Sequence, residues 1–240
     1  MNQSMSSDVL RSSHSTPVHM IAGSAADLKV AVITANVGRF DNALSHPRQI
    51  RKCQFVFYNE TNLPDEVSGM SNRMKSKYPK MQAHKLLPDF DVYIWLDARV
   101  LIRSPRFAEN YLRMLTECDL VATTHPDRKC LTEEYQFMIR KIEGGDAYLR
   151  QRYLVEDLKQ QLQYIRLCDF PVYEFPLFSA GISARWNIPK VNDMMDEWWE
   201  LSRIAGEYDQ GFYSFLIWKH RLNWRTVNFH NPFFKVMPRP

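Results

Sequence analysis

The feature that most constrains this chain is a recurrence of apolar, β-branched runs that each end in polar or turn-forming residues. Residues 29–36 (KVAVITAN), 91–96 (DVYIWL) and 119–124 (DLVATT) are of this kind. Unbroken apolar runs of that length predict strands buried on both faces, as when helices cover a parallel sheet from either side. A shorter strand is expected at 54–58 (QFVFY), closed by Asn59-Glu60-Thr61-Asn62. Pro79 suits the first turn of a helix that runs to about Leu87 and stops at Pro88. Ser104-Pro105 opens a helix over 106–117, and 132–166 is largely helical, broken at Gly144-Gly145. A strand-like stretch surrounds Gly181 at 175–184, helices follow at 191–204 and 209–220, and a short strand at 224–228 precedes the tail.

This alternation predicts an α/β fold: one domain over 28–240, with a mainly parallel sheet and helices on both faces. Residues 1–27 are rich in Ser and small polar types and read as a disordered leader. They lack the basic start and continuous apolar segment of a secretory signal. No run approaches the ~20 apolar residues of a membrane span. The four cysteines form no C-x-x-C pair and read as free thiols of a reducing compartment, so a cytoplasmic protein is expected. A net charge of +4 suits a phosphate-bearing ligand but is no specific sign of nucleic acid.

In sheets of this type ligands bind beyond the carboxyl ends of the strands. Thr34, Ala35 and Asn36 after the first strand, and Asp97 and Arg99 after the third, are therefore the leading candidates. In an extended chain Asp97 and Arg99 point to one side. They suit a departing diphosphate, neutralised through carboxylate-bound Mg²⁺ or Mn²⁺ or by the guanidinium itself, or they form a strand-end ion pair. Arg73, Lys77, Lys80 and His84 are either a phosphate-holding cationic face or a solvated one; Lys80 and His84, four apart on the expected helix, share a face. His125-Pro126-Asp127-Arg128 follows a strand, so its His125 and Arg128 reach the same edge or merely turn the chain. Gly181 allows close approach of backbone to ligand, or marks a bulge. Asp209 and Gln210 open an aromatic helix, Asp209 acting as an N-cap or as a base or charge stabiliser. His230, beyond the last strand, can reach back to a metal. The chain has neither G-x-G-x-x-G nor G-x-x-x-x-G-K-[ST], which argues against dinucleotide and P-loop enzymes, and no G-x-S-x-G elbow.

In their order, KVAVITANVGRFD, KYPKMQAHKLLPDFDVYIWLDARV, HPDRKCLTEE, FSAGISARWN, DEWWE and DQGFYSFLIWK resemble the glycosyltransferase-like family of plant seed-mucilage synthesis and turgor regulation, with its bacterial relatives. A more distant likeness is to glycogenin-like transferases. The resemblance implies a GT-A fold, a nucleotide-sugar donor at the strand ends and a glycan or glycolipid acceptor, as in polysaccharide biosynthesis. It implies Asp209, Asp97 and Gln210 as catalytic groups. Donor contacts would come from Thr34, Ala35, Asn36, Lys77, Lys80, His84, Arg99, His125, Arg128 and Gly181. It further implies Mn²⁺ or Mg²⁺ on Asp97 and His230, although Arg99 stands where the family's acidic pair has its second Asp. The other reading is a catalytically silent module of the same fold that binds a glycan or polyanion.

Overall fold

The computed structural model describes residues 27–39, 41 and 44–238. Apart from Asp27, the expected leader lies outside the described residues. Strand β1 (Val30–Ala35) sends Val30 and Val32 into one core and Ala31, Ile33 and Ala35 into the other. Strand β3 (Val92–Leu96) divides likewise, with Val92, Ile94 and Leu96 on one side and Tyr93 and Trp95 opposite. Side chains alternate along a strand, so a run apolar at every position must be covered on both faces.

With β2 (Gln54–Tyr58), β5 (Leu120–Thr124), β6 (Phe178–Trp186) and β7 (Trp224–Val227) these strands form one sheet, in the order β2-β1-β3-β6-β5-β7. β1 pairs in parallel with β2 and β3, and β5 with β7. Only β6 of these six runs antiparallel to its neighbours, β3 and β5. The fold is thus α/β with a mainly parallel sheet. One face packs on α1 (Asn72–Met81), α4 (Leu131–Glu143) with the short α5 (Ala147–Arg150) beside it, α6 (Val155–Leu167), α7 (Pro189–Ile204) and α8 (Gln210–Lys219), around buried Tyr135, Trp198 and Phe212. The other packs on α3 (Phe107–Leu115) and on a small antiparallel sheet of β4 (Val100–Ile102) and β8 (Phe234–Val236). That second sheet was not expected, because three-residue runs are too short to display a period.

The helix expected from Pro79 is corrected. α1 starts at Asn72, behind Ser71, whose hydroxyl accepts the Met74 N–H at 3.2 Å, and Pro79 lies inside it. It ends where the Gln82 N–H bonds the Tyr78 carbonyl at 2.7 Å, and a separate turn, α2 (Ala83–Leu86), carries His84. Lys80 and His84 therefore share no helix face. Buried Arg185 on β6 donates to the Lys80 carbonyl at 2.8 Å and so fixes the end of α1 against the sheet.

Candidate functional site

The carboxyl ends of β1 and β3 open into a cleft of about 500 Å³. Beyond β3 the chain does not stay extended. Asp97-Ala98-Arg99-Val100 is a turn closed by the Val100 N–H on the Asp97 carbonyl, at 2.9 Å. Asp97 and Arg99 both line the cleft, as expected, but the turn and not the pleat places them there. The Trp95 indole N–H donates to Asp97 Oδ1 at 2.9 Å, and the Asp97 N–H donates to the Gly181 carbonyl at 2.8 Å. Opposite, β6 bulges: its register on β5 jumps from Ala122↔Ser183 to Thr123↔Ser179. A Cβ on Gly181 would lie 3.0 Å from Asp97 Oδ2, so a glycine there admits the carboxylate.

Helix α1 supplies cations. Arg73, Lys77 and Lys80, spaced i, i+4 and i+7, form one stripe that lines the cleft. Lys80 Nζ lies 2.7 Å from Asp209 Oδ2, and Lys77 Nζ lies 3.3 Å from Asp209 Oδ1. Arg73 pairs with Glu207 at 2.6 Å. Asp209 occupies the N-cap position of α8, yet its side chain caps nothing and turns to the two lysines. Burial alone would raise its carboxyl pKa, but Lys77 and Lys80 outweigh burial and hold it well below the usual carboxylate range. Asp97 moves the other way. Burial pushes its carboxyl up, only partly offset by Lys80 and the Trp95 indole. Two neighbouring carboxylates are thus driven apart in pKa by their surroundings.

A second cluster centres on Glu134, a residue to which sequence reasoning assigned no role. Its Oε1 accepts the Tyr208 hydroxyl and, at 3.0 Å, Gln210 Nε2; its Oε2 accepts Arg128 Nε. Glu134 thereby ties the loop after β5 to the starts of α4 and α8. His125 Nδ1 accepts the N–H groups of Asp127 and Arg128 at 3.2 and 3.0 Å, and Arg128 Nη2 lies 3.1 Å from Nε2, so the ring braces its own loop. Burial lowers its pKa, favouring the neutral ring. Its position in the HPDRKCLTEE segment was the available signal for Glu134, since an acid in a first helical turn can meet the arginine of the preceding loop.

Three expected contacts fall elsewhere. Thr34 faces away from the cleft into a groove of about 920 Å³ on the other side of β1, because the pleat separates it from Ala35. Ala35 and Asn36 do line the cleft, and Asn36 spends its amide on Asp41, donating to the carbonyl at 2.5 Å and accepting the N–H at 3.2 Å. His84 is half-buried beside α7, 3.1 Å from Asp196. His230 is exposed and absent from the cleft lining. Among the described residues no three His, Cys, Asp or Glu side chains gather as a metal site would require. Nor does any described helix have the length and apolarity to cross a membrane.

No protein-family model and no curated protein sequence matches this chain. Similar solved structures are glycosyltransferases. Mouse xyloside xylosyltransferase 1 is 11% identical, over 83% of this chain and 84% of that one, with a TM-score of 0.42. The bifunctional glycosyltransferase WbbM is 11% identical over 85% of this chain and 40% of its own, at 0.49. The galactosyltransferase LgtC, in complex with donor and acceptor sugar analogues, is 15% identical over 82% and 73%, at 0.41.

Proposed function

We propose that this chain is a glycosyltransferase of GT-A type that moves a sugar from a nucleotide-diphosphate donor to a hydroxyl of a glycan or glycolipid. The observation that carries the reading is the cation-lined cleft at the carboxyl ends of β1 and β3, where Lys77, Lys80 and Arg99 stand around Asp97 and Asp209. Such a cleft suits a diphosphate, whose negative charge grows as the sugar leaves. Ala35 and Asn36 border the nucleoside end. Arg99 and Lys80 meet the diphosphate, and Asp97 and Gly181 shape the floor on which it rests. Asp209, held ionised, is suited to stabilise positive charge on the sugar ring and not to accept a proton. Gln210 and Arg128, joined through Glu134, form the wall on the far side of the sugar.

The test is release of nucleoside diphosphate from a panel of nucleotide sugars, where slow donor hydrolysis marks an enzyme. Asp97→Asn is expected to lower that release by about 10²-fold or more while the melting temperature stays within a few degrees. Undiminished release in the variant would remove Asp97 from the chemistry; binding without release by the unaltered chain would favour a silent glycan-binding module. Gly181→Ala tests the same floor by geometry. Its methyl group is expected to displace the Asp97 carboxylate by a few tenths of an ångström and cost on the order of tenfold in turnover. Steady-state kinetics beside a thermal melt check it, and an unchanged rate would mean that Asp97 needs no fixed position.

A further inference from the structure

We infer that the Lys80 ammonium is the resident cation of the donor site, so that Lys80 and Arg99 neutralise the departing diphosphate and turnover needs no divalent ion. This deepens the transferase reading and rests on it.

Lys80 is a buried lysine whose Nζ is 2.7 Å from Asp209 Oδ2. The ammonium is also held over two indoles, 5.1 Å from the Trp198 ring centre and 5.9 Å from that of Trp95. The same Trp95 donates to Asp97 and the same Trp198 donates to the Asp209 carbonyl at 2.9 Å. Acid, ammonium and indoles thus form one interlocked unit, and Arg185 clamps the Lys80 backbone from behind. A charge fixed this way needs no reorganisation when the leaving group departs.

Of the four acids that line the cleft, Asp97, Glu134 and Asp209 do not fit a divalent ion, and Asp41 joins no group of three possible metal ligands among the described residues. Each Asp209 oxygen faces a lysine, and the Glu134 oxygens serve Arg128, Tyr208 and Gln210. Asp97 has Oδ1 on the Trp95 indole and stands among charges that include Lys80 and Arg99. An ion brought to Asp97 would meet the like charge of Lys80 and Arg99. In donor hydrolysis a water oxygen bonds to the sugar's anomeric carbon and releases its proton to solvent. The bond from that carbon to the phosphate oxygen breaks, and its electron pair leaves with the diphosphate. The added charge on that oxygen is what Lys80 meets.

The experiment measures nucleoside diphosphate release by the full chain from UDP-glucose, UDP-galactose, UDP-xylose and GDP-mannose, in EDTA and again in Mn²⁺ or Mg²⁺. The rate in EDTA is expected to equal the rate with metal within about twofold, and Lys80→Met to lower it by on the order of 10²-fold. Lys80→Arg, which keeps the charge, is expected to retain more activity than Lys80→Met. A rate that vanishes in EDTA and returns with Mn²⁺ overturns the inference yet leaves glycosyl transfer standing. Absence of turnover from every donor under both conditions overturns the transferase reading and the inference with it. The EDTA comparison uses the unaltered chain, so it decides the matter even if the Lys80 variants fail to fold.

Discussion

Asp209→Ala is expected to destabilise the protein by about 3–5 kcal/mol, because it strands two ammonium groups in a low-dielectric site. The side chains concerned are well buried: Lys80 is 6% exposed, Lys77 12% and Asp209 15%. Burial already pushes the Lys77 ammonium pKa down against the pull of Asp209, so without the acid it is poorly tolerated as a cation. Adding Lys77→Met to Asp209→Ala should restore part of the loss, since one stranded charge is then gone. The pH dependence has a definite sign. The folded pKa of Asp209 is depressed, so its contribution is complete above the unfolded value of about 3.9 and is lost as pH falls through the folded one. Wild type and variant should therefore converge in stability only in strong acid. Urea unfolding of the single and double variants measures this, and a coupling near zero between Lys77 and Asp209 would contradict it.

Gly211→Ala should cost about 2–4 kcal/mol, although alanine is the better helix former by about 1 kcal/mol. Gly211 is buried in the first turn of α8, where an added Cβ would lie 2.0 Å from the Tyr135 hydroxyl oxygen and 2.7 Å from its Cζ. Tyr135 cannot swing away cheaply. It is fully buried, and its hydroxyl donates to Gln161 Oε1 at 2.9 Å. Overpacking of about 1–3 kcal/mol and a strained buried hydrogen bond of about 1–3 kcal/mol outweigh the gain in propensity. Gly69→Ala is the control, because nothing lies within 4 Å of its added Cβ. Equal melting temperatures for the two variants would refute the packing argument.

The major strands were legible in the chain because burial on both faces writes itself as a continuous apolar run. The polar ends of those runs led to Asp97, Arg99 and Asp209 for the same reason: a rigid strand end or helix start is where a chain can hold a charge in place. Other features left no such mark. Pro79 suits a first helical turn, yet α1 begins seven residues earlier, at Asn72, since Ser71 caps it and Arg185 secures its far end. The antiparallel course of β6 and its bulge at Gly181 depend on pairing with β3 and β5, which local composition does not record.

Local pattern alone thus established the α/β layering, the edge at which polar groups gather, and the acids and bases available there, because burial and strand period are properties of neighbouring residues. Which of those groups meet was decided by the folded chain. Lys80 and Asp209 are 129 positions apart, and Glu134 and Gln210 are 76 apart. Only the packing of α1 on α7, and of α7 and α4 on α8, brings such partners within hydrogen-bond reach, and it leaves Thr34, His84 and His230 outside.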